Sequence, residues 1–277
     1  MIDLHVHSII SDGMDTPSEI IRKAKRIGLD ALALTDHDCI AGLEEAELEA
    51  HRLGVKFVKG IEFSVTYGDN RLIHILGLGI NPDNEVFSKL YAEYRKSRSN
   101  QIHHIFEGLN KRGIYPVMEE VLALSPDGCL DRQTLGRWLL EKGITKSMHS
   151  SWVDYLDLFP YREGELIVME TALKMIKAAG GKSFMAHFHK PIGLKDYSKG
   201  ECHKILTDLK ALGLDGMESY YPDFTHEDYL KVNKYITKYN FLVSGGSDYH
   251  GSNRPSVELG IGSGSMNVPN KVLDSII

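Results

Sequence analysis

The chain has 277 residues, 42% of them apolar and 25% charged, which is enough apolar material for one sizeable core. Its formal net charge of −6 lacks the basic balance of a duplex nucleic-acid binder, and its apolar runs fall well short of the ~18 residues of a membrane span. The three cysteines (Cys39, Cys129, Cys202) are too scattered for a disulfide framework, and no basic stretch precedes an apolar one at the start, so a cytoplasmic protein without a signal peptide is expected.

Residues 2–7 (IDLHVH) read as a strand with His5 and His7, two apart, on one face. A polar loop carrying Asp12 follows. Thr16-Pro17-Ser18-Glu19 then opens a helix to about Gly28, with a Thr cap, Pro at the first position and Glu three residues after the cap. The apolar strand 30–35 runs into His37 and Asp38; Asp36 should point away from His37 and serve structurally. An amphipathic helix over 41–54 stops at glycine, and strands at 55–65 and 71–80 carry Glu62 and His74. This β-α-β-α rhythm predicts a parallel sheet or barrel.

From 83 to 165 helical patterns dominate: 83–112, 116–124, 131–142 and 147–157. The stretch reads as a helical insertion, a cap over a barrel made of 1–82 and 166–277. Alternation resumes with a helix at 165–179, a strand at 182–187 ending in His187, a helix at 200–212 and a strand at 215–221. A helix at 225–239 and a strand at 241–247 lead into Asp248 and His250.

Six segments therefore bring ligand-type residues onto strands or strand ends: DLHVHSIISDG (3–13), LTDHD (34–38), GIEFS (60–64), HILG (74–77), AHFH (186–189) and SDYH (247–250). The mouth of a parallel barrel is where such folds do their chemistry. His5, His7, Asp12, His37, Glu62, His74, His187, Asp248 and His250 are accordingly expected to form a multinuclear metal site. Each alone has a plainer reading, such as a core histidine with a polar partner, a turn aspartate or a helix cap. Their concurrence in register with the strands outweighs those readings. A mixed imidazole and carboxylate set suits Mn²⁺ foremost, or Fe²⁺ or Zn²⁺. Ions about 3.5–4 Å apart can share a hydroxide of lowered pKa. His51, His103, His104, His203 and His226 read as solvated surface residues, and His149 is left unassigned.

The motifs DLHVHS-x₃-DG, LTDHD, GIEFS, AHF and SDYHG resemble, in order and approximate spacing, those of the PHP family, the polymerase and histidinol phosphatase group of metal-dependent phosphoesterases. The resemblance implies a distorted (β/α)₇ TIM-like barrel with two or three divalent ions. By position, His5, His7, Glu62 and Asp248 would hold one ion, Glu62, His74 and His187 a second, and Asp12, His37 and His250 a third. Asp12, His37, Glu62 and His250 would be the catalytic set. The insertion is similar to that of the stand-alone branch acting on 3′,5′-nucleoside bisphosphates, short RNA 5′ ends or cyclic phosphates. That branch carries Arg-Pro-His and a second Arg, where this chain has Arg132-Gln133-Thr134 and Arg137; after the Ala-His it often has Pro, where this chain has Phe188-His189-Lys190. Arg132, Arg137, His189 and Lys190 are thus expected to contact a small phosphorylated substrate, with no duplex nucleic acid or membrane as partner. Histidinol-phosphate hydrolysis, a metal-dependent amidohydrolase and a non-catalytic metal-stabilised module are the alternatives.

Overall fold

A computed structural model describes residues 1–68, 71–264 and 266–277. The first part comprises β1 (Ile2–Asp3), α1 (Pro17–Ile27), β2 (Ala31–Leu34), α2 (Leu43–Leu53), β3 (Lys56–Tyr67) and β4 (Arg71–Leu78). Five helices follow: α3 (Glu85–Gln101), α4 (His103–Asn110), α5 (Met118–Ala123), α6 (Arg132–Glu141) and α7 (Met148–Asp154). The chain then forms β5 (Ile167–Val168), α8 (Met169–Ala178), β6 (Lys182–Met185), α9 (Lys199–Leu212), β7 (Gly216–Tyr220), α10 (His226–Tyr239) and β8 (Leu242–Gly245).

Local signals act as read. The Thr16 hydroxyl accepts the Glu19 N–H while the Glu19 carboxylate accepts the Thr16 N–H, and Gly28 ends α1 at a positive φ. The helix reading of 83–112 divides at Ile102, where the His104 Nδ1–H donates to the Gln101 carbonyl at 2.7 Å and diverts it from the helical ladder.

The strands run in the order β1-β2-β3-β4-β6-β7-β8, with β5 added beside β3. Just beyond the two outer strands the ends meet: the Leu4 N–H donates to Gly245 O (3.2 Å), Asp248 N–H to His5 O (2.8 Å) and His7 N–H to Tyr249 O (2.9 Å). The sheet thereby curls into a distorted barrel. Gly246 permits this seam, because a Cβ there would lie 2.3 Å from the His5 nitrogen. The expected parallel order fails at one strand. β4 is antiparallel to both β3 and β6. The cause is connection length: Tyr67 pairs with Arg71, and a parallel crossover needs a dozen or more residues.

Alternation divides the barrel's two faces. Leu32 and Leu34 pack outward with α1 and α2, whereas the smaller Ala31 and Ala33 join Leu4, Leu76, Leu78 and Phe184 in the interior cluster. His74 shares the parity of Leu76 and Leu78, so β4 places its imidazole directly above this apolar plug. A third cluster, including Ile105, Leu109, Leu135, Trp138 and Leu156, belongs to α4, α6 and the segment after α7. α3 instead sends Phe87 and Tyr94 into the barrel's outer core.

Candidate metal centre

Apart from Asp12, which lies in the turn before α1, each site residue sits on a strand or shortly after one. His5 and His7 follow β1, and His37 follows β2, where it bridges Glu62 of β3. His74 is on β4, His187 follows β6, and Asp248 and His250 follow β8. His187 (φ 26°) and Asp248 (φ 52°) adopt the left-handed backbone that costs energy outside glycine, and such conformations concentrate at functional sites.

Glu62 is the hub. Its Oε2 lies 3.1 Å from His5 Nε2, 3.2 Å from His7 Nε2 and 3.1 Å from His37 Nδ1. Its Oε1 lies 3.0 Å from both His74 Nδ1 and His187 Nε2. One fully buried carboxylate therefore serves five imidazoles, three on one oxygen and two on the other. Asp248 Oδ1 stands 3.3 Å from His5 Nε2 and 3.2 Å from His7 Nε2. Nearer the cleft, His250 Nε2 is 3.2 Å from Asp12 Oδ1, and His37 Nε2 is 3.8 Å from Asp12 Oδ2.

The donor atoms fit divalent cations. Three groups converge within 4.8 Å: His5, His7, Glu62 and Asp248; His7, Asp12, His37 and His250; and His37, Glu62 and His74. His7 and His37 each belong to two of them, and His187 reaches the site through Glu62 Oε1. His5 Nε2 and His7 Nε2 lie only 3.1 Å apart and aim at one point, an arrangement that a shared cation would satisfy. His187 Nδ1 is buried without a hydrogen bond, and His37 Nδ1, although 3.1 Å from Glu62 Oε2, makes no aligned one, a costly condition for a purely structural core.

Electrostatics agrees. Burial opposes a charged His5, but Glu62, Glu218 and Asp248 outweigh it and hold the imidazole well above its ordinary range. Burial likewise opposes a charged His7, yet hydrogen bonds to Asp248 and Glu62 and the nearby charges push it up to about 10. Burial dominates at His37 and brings it down to about 4. The surrounding imidazoles overcome burial at Glu62 and Asp248 and hold both carboxyls well below their usual range.

Buried carboxylates behind the ligands fix the loops. Asp36 accepts from the Ser8 N–H (2.7 Å), the Ser8 hydroxyl (2.7 Å) and the Ser11 hydroxyl (2.6 Å), the structural role expected of it. Asp3 takes the Ser247 N–H and hydroxyl at 2.8 and 2.6 Å. Asp38, also buried, accepts the Ser64 N–H and the Tyr94 hydroxyl, both at 2.8 Å, and pairs with Arg98 at 3.0 Å. Sequence reasoning missed Glu218, although a carboxylate within an otherwise buried strand is the same signal that revealed His74.

The expected substrate residues fare differently. Arg132 is not at the site: it is buried, its guanidinium pairs with Glu165, and it donates to Leu156 O (2.6 Å) and Pro160 O (3.3 Å). His189 is also turned away, packed edge-on against Tyr221 and Phe224. Burial and then Lys190 bring its imidazole down to about 4. Arg137 reaches the loop beside Asp12, donating to Ser11 O at 2.6 Å. Lys190 lines a cleft of about 540 Å³ over the metal ligands. His149 and Trp152 of α7 line it as well, together with Tyr221, Asp223 and Arg254, none of which the sequence marked.

The family description "PHP domain" matches residues 3–217. The chain is similar to a 5′-3′ exoribonuclease of Haemophilus influenzae, 32% identical across 90% of this chain and 89% of that one. It is also similar to a 3′,5′-nucleoside bisphosphate phosphatase of Chromobacterium violaceum, 31% identical across 94% and 90%. Among solved structures, a Bifidobacterium adolescentis protein to which metal-dependent phosphoesterase activity has been ascribed shares the fold, with a TM-score of 0.81, 24% identity and coverage of 99% and 94%. A Chromobacterium violaceum protein described as an amidohydrolase, with bound sulfate and no metal, has a TM-score of 0.78, 28% identity and coverage of 100% and 97%. With its family motifs gathered around one buried carboxylate, the chain belongs to the PHP domain family.

Proposed function

We propose that this chain is a metal-dependent phosphoric ester hydrolase acting on a small phosphorylated, nucleotide-like substrate, with two or three divalent ions, Mn²⁺ foremost. The observation that carries the reading is Glu62, one carboxylate whose two oxygens face separate sets of imidazoles. The nine residues from His5 to His250 would hold the ions. When bound, such ions polarise a phosphoryl oxygen and lower the pKa of water to ~7.

The chain's own groups do the rest. His250 donates its Nδ1–H to Asp248 O at 2.8 Å, which turns Nε2 toward Asp12 and the cleft. That leaves Nε2 as the edge of His250 that would hold an ion together with Asp12. Arg137 steadies the Asp12 loop through Ser11, and its charge beside that loop would favour an incoming anion. We further propose that the helical segment 83–165 acts as a cap, because α7 supplies Met148, His149 and Trp152 to one wall of the cleft. Among the described residues no helix is long and apolar enough to cross a membrane, and all three cysteines are free, which supports a cytoplasmic location.

The similarity to a structure described as an amidohydrolase keeps a second reading open. Against it, the lysine that lines the cleft, Lys190, pairs with Asp223 and not with a residue of the ligand groups, so it is not set as a carboxylated bridge. The test is a panel assay of the Mn²⁺-loaded protein on nucleoside bisphosphates, cyclic phosphates, histidinol phosphate and simple amides, with and without chelator. Metal-dependent turnover of a nucleotide-like phosphoester is expected. An amide turned over faster than every phosphoester would overturn the proposal.

A further inference from the structure

The loop after His37 is gripped from behind by the helical segment. Asp38 adopts a left-handed backbone there, with φ 54°. Its N–H donates to Glu62 O at 2.9 Å and the Glu62 N–H donates to Asp36 O at 3.2 Å, so the bridge between His37 and Glu62 is closed on both sides. Three side chains of α3 hold this one residue. The Tyr94 hydroxyl donates to Asp38 Oδ1 at 2.8 Å, Arg98 Nη1 lies 3.0 Å from Asp38 Oδ2, and Arg95 Nη1 donates to the Asp38 carbonyl at 3.3 Å. Tyr94 and Arg98 are four positions apart and share a helical face, where Arg98 Nη1 also donates to the Tyr94 hydroxyl at 2.7 Å.

The grip extends into the rest of the segment. Arg95 Nη1 donates to Asp131 Oδ2 at 2.9 Å, and Asp131 Oδ1 caps α6 by accepting the Thr134 N–H at 2.9 Å. α6 in turn carries Arg137, whose contact with Ser11 O borders Asp12. The segment therefore reaches one ligand group, that of His7, Asp12, His37 and His250, from two directions. Asp38, Tyr94, Arg95, Arg98 and Asp131 are all buried. Burying ions carries a desolvation cost that their mutual attraction barely offsets, so net stability is a poor account of this network. Geometry is a better one: a residue other than glycine stays at positive φ only where its surroundings over-determine it.

We infer that Tyr94 and Arg98 are positioning residues for His37, acting through Asp38, and that the helical segment thereby sets the affinity of the ions that His37 would hold. The inference rests on the metal-centre reading of the proposed function. His37 belongs to two of the converging groups but not to the third, made of His5, His7, Glu62 and Asp248. Releasing Asp38 frees the backbone beside His37 and shifts its imidazole relative to Asp12 and Glu62, while the third group is left intact. The consequence is selective. Ions that share His37 weaken, and the ion between His5, His7, Glu62 and Asp248 does not.

The test is equilibrium dialysis against graded Mn²⁺, with bound metal counted by elemental analysis, on wild type, Tyr94→Phe and Asp38→Gly. Phenylalanine keeps the ring that meets Phe63 edge-on at 6.2 Å and removes only the hydroxyl. Glycine adopts the φ of Asp38 freely, so that variant separates relief of backbone strain from loss of the grip. Thermal unfolding checks that each variant folds; if Asp38→Gly does not, Tyr94→Phe decides alone. Each folded variant should keep one ion at wild-type affinity and bind another about tenfold more weakly or worse, the usual effect of losing support behind a ligand. Raised Mn²⁺ should then restore turnover of any phosphoester that wild type hydrolyses. The ions are counted without substrate, so a wild type that binds them but hydrolyses no phosphoester would end the phosphoesterase reading while the counts still decide the positioning role. Wild-type affinity for every ion in either folded variant, or equal weakening of all ions, overturns that role.

Discussion

Glu218 Oε1 lies 3.0 Å from His5 Nδ1, on the ring edge opposite the ligand cluster. Its Oε2 accepts the His187 backbone N–H at 2.8 Å. One buried carboxylate thus turns the ring of one ligand and fixes the backbone of another, which sits at a positive φ. Glu218→Gln keeps the volume and removes the charge. Metal affinity should fall about 10–100-fold, the usual effect of losing a carboxylate behind a ligating histidine. Chelator competition measures this; an affinity equal to wild type would deprive Glu218 of the role.

Metal binding should expel protons. In the metal-free protein His7 is pushed up to about 10, whereas a ligating imidazole must be neutral. Mn²⁺ binding at pH 8 should therefore release roughly one proton or more per chain, measured by calorimetry in buffers of different ionisation enthalpy. The same shift affects stability. A folded pKa above the ordinary 6.5 stabilises fully below 6.5, and that contribution disappears as pH rises through about 10. Across this window the melting temperature of the metal-free protein should fall more than that of the Mn²⁺-loaded protein. Parallel curves without proton release would mean that His7 is already neutral.

Glu62 cannot be replaced by its amide without consequence. Glutamine can offer one acceptor oxygen to the five imidazoles but turns an NH₂ group toward the others. Glu62→Gln should abolish turnover and reduce bound metal by at least one ion per chain, measured by elemental analysis on protein shown to be folded. Full metal content with a merely lowered rate would remove Glu62 from the bridging position.

The convergence of the nine ligand-type residues was legible because imidazoles and carboxylates on apolar strands, or just beyond them, have few structural uses, and His74 within β4 shows this most plainly. The helix caps at Thr16 and Gly28 were legible because their signals are local. Pairing was harder to read. The reversal at β4 follows from the short connection between Tyr67 and Arg71, although alternating apolar residues alone also permit a parallel neighbour. Long-range partners left no trace at all: nothing around Arg132 announces Glu165, and nothing in the loop after His250 announces that Arg254 meets Asp223.

Arg132 and Arg137, read alike from the sequence, should behave oppositely when replaced. Arg132 is 1% exposed, and its guanidinium is committed to Glu165, to the carbonyls of Leu156 and Pro160 and to the face of Tyr161 at 4.0 Å. Reaching a substrate would strand Glu165, itself 1% exposed, as an unpaired buried charge. Arg132→Met should therefore destabilise the fold by about 3–5 kcal/mol, the effect of breaking a buried ion pair from one side. Any loss of activity should follow the folded fraction. Arg137 is only partly buried, and its contact with Ser11 O puts its charge beside Asp12. Arg137→Ala should leave the melting temperature nearly unchanged and lower kcat/KM about ten- to a hundredfold, the equivalent of one charge-assisted hydrogen bond. Unfolding curves, kcat/KM and metal content measured together separate the two arginines. If Arg132→Met kept the wild-type melting temperature yet lost activity, its buried pairing with Glu165 would be dispensable and Arg132 would return to the substrate. If Arg137→Ala matched wild-type kinetics on every active substrate, its charge would have no part in drawing the anion in.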